Sequence, residues 1–117
     1  MALPPELRVA IQGFWPEEEW EHAAAISNLE SGWRLNARAY VTQDQVNDWN
    51  RLHPDDIRSV EDSRGPFQVN IYAHPWADAG RLLTDWAYAS WAGRVVWLRA
   101  GGRWSPWFYS AKKLGLL

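Results

Sequence analysis

Cysteine is absent from the 117 residues, which removes disulfides and thiolate metal sites together. Charge of one sign is not in excess either. Twelve Lys and Arg stand against 14 Asp and Glu, for a net charge of −2, which argues against a chain held to nucleic acid by phosphate contacts. No apolar run approaches the length needed to cross a bilayer. The opening Met1-Ala2-Leu3-Pro4-Pro5 has no basic stretch followed by an apolar one, so no secretory signal is expected. The three histidines, His22, His53 and His74, are scattered without metal-ligand spacing, so no metal is expected. No glycine-rich phosphate loop, Walker lysine or serine elbow occurs, and no cofactor is expected. Internal repeats and low-complexity tracts are missing as well.

What remains is an ordinary globular composition, 47% hydrophobic and 22% charged, of a length that suits one domain over residues 1–117. The unusual feature is tryptophan, at ten residues. Some must build the core, and a groove that stacks on sugar rings would use the same side chain.

The chain is organised around Ala23-Ala24-Ala25-Ile26-Ser27-Asn28-Leu29-Glu30-Ser31-Gly32-Trp33. Pro16 suits a first helical position, and Glu17, Glu18 and Glu19 meet the positive end of the helix dipole. Gly32 suits the residue just past a helix end. The spacing therefore predicts a helix over 16–31, on which Trp20, Ala23, Ile26, Ser27 and Glu30 share one stripe. That stripe is the face that buries, so Glu30 is aimed inward or at a cleft near the negative end of the dipole. Burial and dipole both disfavour its charge and raise its pKa, as a general acid requires. Glu17, Glu18, Glu19 and Glu21 read as a solvated first turn.

Residues 5–13 predict a short leading helix that packs against the one bearing Glu30, with Phe14 and Trp15 fixing the chain's approach to it. Thr42 and Gln45 have capping-box spacing, which predicts a short helix over 43–52 ending before His53-Pro54. Asp55, Asp56, Glu61 and Asp62 follow in a polar stretch. Gly65-Pro66 marks a tight turn. Phe67 to Tyr72 alternates as a strand, with Phe67, Val69 and Ile71 on one face and Gln68, Asn70 and Tyr72 on the other. Residues 78–100 predict a long buried helix, with Arg81 and Asp85 paired on its solvent side. Gly101-Gly102 ends that helix, Arg103 to Tyr109 returns across the domain, and Lys112 to Leu117 reads as a last turn and a frayed end. The fold class is α+β, predominantly α.

Three ordered blocks carry a resemblance: Ala-Ile-x-x-x-Glu-Ser-Gly-Trp at 25–33, Ser-x-Gly-Pro-Phe-Gln-Val-Asn at 63–70, and Gly-Gly-x-Trp-x-Pro-Trp at 101–107. Together they resemble the lysozyme-like superfamily, and within it the soluble lytic transglycosylase type and its phage-encoded relatives. The resemblance implies a lysozyme-like fold with a small β-hairpin beside the catalytic helix. It also implies cleavage of the β-1,4 bond between N-acetylmuramic acid and N-acetylglucosamine in peptidoglycan, with Glu30 as catalytic acid/base. Substrate contacts are then expected from Ser63, Phe67, Gln68 and Asn70, and from Tyr88 in an Ala-Tyr-Ala version of the family's Ala-Tyr-Asn motif. Trp104 and Trp107 complete the set, one mostly buried and the other partly presented to substrate. Relative to the family, the chain carries an insertion over about 42–60. That insertion reads either as a groove wall with Trp49 as a sugar platform or as a solvated loop that Trp49 packs down.

The family's transglycosylases do all proton work with one Glu, and Ser63 fits their pattern. The expected route is protonation of the glycosidic oxygen by Glu30, then deprotonation of the muramyl 6-hydroxyl, which attacks C1 to leave a 1,6-anhydro sugar. The alternative is a hydrolytic lysozyme that uses water with help from Asp62 or Glu61. Further alternatives are a non-catalytic virion or wall-binding protein and a groove for chitin oligomers. The partners implied are peptidoglycan glycan strands and a phage virion or tail assembly, with no nucleic acid and no membrane insertion. The location implied is a virion or the host cytoplasm, with release to the wall.

Overall fold

The computed structural model describes residues 2–117. It is an α+β arrangement, predominantly helical, with one small antiparallel sheet. Helix α1 spans Pro5–Phe14, α2 Trp20–Ser31, α3 Gln43–Leu52, α4 Trp86–Arg99 and α5 Phe108–Lys113. Strands β1 (Arg38–Val41), β2 (Glu61–Arg64) and β3 (Val69–Asn70) pair in sequence order. Among the described residues, no helix is long and apolar enough to cross a membrane.

The helix bearing Glu30 forms as its sequence dictates, with one adjustment at the start. Pro16 leads into a short 3-10 turn, Glu17–Glu19, before α2 begins. Gly32 closes α2 in the left-handed region at φ 61°, where its amide donates to the Asn28 carbonyl at 2.8 Å. The inward stripe holds: Ala23, Ile26 and Ser27 are fully buried, and Trp20 and Glu30 are half-buried.

Helix α1 touches α2, as expected for the leading helix, but packs chiefly along α4. Two bonds pin that pairing. Ser90 Oγ donates to the Ala10 carbonyl at 2.9 Å, and Arg94 Nη1 donates to the Phe14 carbonyl at 2.8 Å. Beyond α1, Trp15 turns into the core, where its ring stacks on Phe67 at 5.3 Å and on Trp104 at 5.2 Å. Trp107 meets Trp104 at 5.4 Å and donates its indole N–H to the Phe67 carbonyl at 2.7 Å. Each such aromatic pair adds about 0.5–1.5 kcal/mol beyond area burial. Residues far apart in sequence thus meet in one cluster, and most of the tryptophan excess is structural.

The sheet differs most from expectation. Strands β1 and β2 form a hairpin with Arg38 opposite Arg64 and Val41 opposite Glu61. Its connection is residues 42–60, so the apparent insertion is the hairpin's own long loop. Within it, α3 opens with a full capping box: the Gln45 amide donates to Thr42 Oγ1, and the Thr42 amide donates to Gln45 Oε1. The expected strand over 67–72 shrinks to Val69–Asn70, because residues 65–68 form a turn with Gly65 at φ 81° and Gln68 at φ 49°. Only glycine fits at 65, since a Cβ there would stand 2.2 Å from the Leu82 carbonyl oxygen. Phe67 and Val69 both bury, but as turn and strand rather than as one alternating face.

The long helix expected over 78–100 starts late. Asp78 Oδ1 accepts from the Gly80 and Arg81 amides, which holds a 3-10 turn at Arg81–Leu83. Asp85 then caps α4 by accepting from the Tyr88 amide at 3.0 Å. Arg81 reaches Asp85 at 3.0 Å, as the spacing predicts. At the far end, Gly101 and Gly102 both adopt positive φ, and the Gly102 amide donates to the Trp97 carbonyl. The C-terminal tail is tied down rather than frayed: the Leu116 amide donates to Ala111 O, and Leu116 packs on the core.

Candidate active site

Glu30 opens on a cavity of about 420 Å³ whose walls come from β2, β3, α4 and the start of α5. Helix α2 supplies Glu30 from its last turn. Helix α5 supplies Ser110, whose hydroxyl donates to Glu30 Oε2. Burial is the largest influence on this carboxyl and pushes its pKa above the ordinary carboxylate range. The Ser110 hydrogen bond favours the ionised form and pulls it back, while the negative charge of Glu61 pushes it up again. A carboxyl so placed can hold a proton at a pH where an exposed Glu has lost it, and can deliver that proton into the cavity.

Strand β2 sets the opposite wall. Its pleat sends Glu61 and Ser63 to the cavity, and Ser63 Oγ donates to Glu61 Oε1 at 2.8 Å. Asp62 points the other way, with its side chain 4% exposed. Arg38 donates to both of its oxygens at 2.9 and 2.8 Å, and Arg64 donates to both at 3.0 Å. Hydrogen bonds from Arg38 and then Arg64 hold this carboxyl far below the usual range. Asp62 is therefore a fixed anion in a two-arginine clamp behind the sheet, and the expectation that it serves as a second carboxylate is corrected. Glu61 is the acid that shares the cavity with Glu30.

Gln68 and Asn70 also line the cavity, but their polar atoms are partly spent on the fold. Gln68 Nε2 donates to the Ala37 and Gly65 carbonyls at 3.0 Å, and Asn70 Oδ1 accepts from the amides of Asp62 and Tyr72. Gln68 Oε1 and Asn70 Nδ2 are the groups left to address a ligand. Four expected contacts are corrected in whole or part. Phe67 is fully buried beneath the site and packs on α4 at Gly93. Trp104 is buried in the aromatic stack, with its indole N–H donated to Glu19 Oε2 at 3.2 Å. Trp107 lines the cavity, yet it is as buried as Trp104 and is a wall rather than a presented platform. Tyr88 lies away from Glu30, with its hydroxyl accepting from the Asp78 amide at 2.6 Å and Arg81 over its ring at 4.4 Å.

Other groups at the cavity were not legible as a set in the sequence. Ser110 is separated from Glu30 by 80 positions, and no local pattern links them. His74 lines the wall, where burial and then the charge of Arg99 lower its pKa and favour the neutral ring. Tyr109 stands at the mouth, 85% exposed. The Pro106 turn before α5 is the one sequence signal that bears on this wall, since it fixes where the helix carrying Tyr109 and Ser110 begins. Among the described residues, no group of three or more His, Asp or Glu is placed to hold a metal ion.

Fold and cavity together define a small, mainly helical α+β protein with two carboxylates on one cleft, one biased toward its protonated form. The chain matches no known family, curated protein or solved structure in comparisons with each.

Proposed function

We propose that this chain is a glycosidase of lysozyme-like fold that cuts peptidoglycan glycan strands at the β-1,4 bond between N-acetylmuramic acid and N-acetylglucosamine. The observation that carries this reading is Glu30, half-buried with a raised pKa and facing a polar cavity. In this reading Glu30 protonates the leaving oxygen, and its carboxylate then accepts the proton of the muramyl 6-hydroxyl as that oxygen attacks C1. One bond breaks and one forms, no water is consumed, and Glu30 ends protonated as it began. The free amide groups of Gln68 and Asn70 are suited to sugar hydroxyls and N-acetyl groups. The partner is the wall polymer, met from a virion or after release from the host cytoplasm.

Hydrolysis is the second reading, and one observation favours it. Glu61 opens into the same cavity, where the Ser63 hydroxyl donates to it, so a carboxylate is available to direct a water at C1. Mass spectrometry of soluble fragments from purified peptidoglycan separates the two. Anhydro fragments support transglycosylation, and reducing ends support hydrolysis. Glu30→Gln is expected to abolish release of either while its circular dichroism stays native. Full activity in that variant would sink the assignment, and the absence of fragments from several wall types would favour a non-catalytic wall-binding role.

A further inference from the structure

The last acidic residue of the chain is Asp85; beyond it stand Arg94, Arg99, Arg103, Lys112 and Lys113, with no Asp or Glu among them. The near-neutral total therefore hides two unlike parts, and the cationic excess is confined to residues 86–117. Not all of these cations are free to act. Arg94 is spent on the Phe14 carbonyl, and Arg99 lies over the Trp76 ring at 4.8 Å. Lys112 and Lys113, the only lysines in the chain, are both exposed on α5. Among the described residues, neither forms a salt bridge.

Helix α5 turns its small residues inward, with Ser110 at Glu30 and Ala111 in the core. Positions 108, 109, 112 and 113 share the opposite face. Phe108, 50% exposed, and Tyr109, 85% exposed, thus stand one turn before the two lysines. Leu114 and Leu117 carry the apolar exposure past the helix, while Leu116 holds that segment against the core. From this face we infer that α5 and the residues after it bind the surface of an anionic phospholipid bilayer, lying on it without crossing it. Lysines are drawn to anionic headgroups, aromatic rings settle at headgroup level, and leucines reach the acyl boundary. The leucines decide between a bilayer and a soluble polyanion. Beside a phosphate chain in water they gain nothing, whereas at a bilayer their exposed apolar area leaves water. The inference stands apart from the glycosidase reading, since it uses neither Glu30 nor its chemistry.

The test is co-sedimentation of the full chain with vesicles of phosphatidylglycerol and phosphatidylcholine in equal parts, against phosphatidylcholine alone. At low salt the anionic vesicles are expected to bind at least tenfold more strongly, and a salt level that screens beyond about 3 Å should remove that preference. Lys112→Gln with Lys113→Gln is expected to weaken anionic binding about thirtyfold, the equivalent of about 2 kcal/mol. Arg8→Gln with Arg51→Gln makes the same change in net charge at exposed positions elsewhere, and should leave binding within about twofold. Leu117→Ser is expected to weaken it about tenfold. Native melting curves establish that each variant folds. Equal binding to the two vesicle types, equal losses from the two double variants, or no loss from Leu117→Ser overturns the inference. Tighter binding to soluble long-chain polyphosphate than to anionic vesicles overturns it too, and assigns the lysines to a phosphate polymer.

Discussion

Replacing Asp62 by Asn tests whether the acid next to Glu61 is a structural clamp or a reacting group. The carboxylate is buried behind the sheet and takes four hydrogen bonds from Arg38 and Arg64. Removing the charge leaves Arg64, itself largely buried, with only neutral acceptors, the Asn amide oxygen and the Ala79 carbonyl. Breaking a fully buried pair costs about 3–5 kcal/mol. Arg38 is open to solvent, which screens its share, so the expected loss is about 2 kcal/mol. At about 2.1 cal/mol/K per residue of unfolding entropy, a chain of this length loses roughly 4 °C per kcal/mol, or about 8 °C in Tm at neutral pH. The pH dependence has a definite sign. The folded carboxyl sits below its unfolded value of about 3.9, so its contribution is complete above that value and is lost as pH falls below it. Melting curves followed by circular dichroism from pH 7 down to pH 3 should therefore show the gap between native and variant chains narrowing in acid. Wall cleavage measured well below the variant's Tm should be retained. A gap that is constant with pH, no loss of Tm, or a folded variant that no longer cuts would refute the clamp.

Two substitutions around Glu30 are expected to move the basic limb of a pH–rate profile in opposite directions. Ser110→Ala removes a bond that favours the carboxylate, so the limb should move to higher pH. Glu61→Gln removes a repelling charge, so the limb should move to lower pH in whatever activity remains; shifts of the same sign in both variants would exclude Glu30 as the titrating acid. Two glycines should respond oppositely to alanine in thermal melts. At Gly93 the new Cβ would lie 2.8 Å from Phe67 Cγ, and overpacking should cost about 1–3 kcal/mol. At Gly13 in α1 nothing lies within 4 Å, and the gain in helix propensity should add about 0.5–1 kcal/mol.

Local rules were readable where one segment settles its own structure. The Thr42–Gln45 capping box, the Gly32 terminus and the inward stripe of α2 involve residues at most a few turns apart, and each stands as the spacing predicts. Strand β2 was not readable, because Glu61-Asp62-Ser63-Arg64 has no apolar alternation. Its face away from the cavity is buried by ion pairing with Arg38, 24 positions away, and hydrophobic periodicity carries no trace of that. The strand expected over 67–72 fails for the converse reason. Its alternation is real in sequence, but the turn geometry at Gly65 and Gln68 interrupts it. At the site, Glu30 announces itself through its place on α2. Ser110 and the division of labour between Glu61 and Asp62 depend on long-range register, which fixes which face of β2 looks into the cavity.

The tryptophan arrangement has a consequence for spectroscopy. Trp15, Trp97, Trp104 and Trp107 form a continuous chain of ring neighbours, each within about 6 Å of at least one other. Their excited states exchange energy, and emission from the group reports whether distant parts of the polypeptide have come together. Mutual coupling between rings tilted by 50–56° also adds its own ultraviolet dichroism, so helix content read from ellipticity alone will be skewed for this protein. Trp49 stands outside that group with His53 against its ring. Its emission therefore reports on the loop after α3, which its indole N–H ties down at the Asp56 carbonyl, rather than on the buried group.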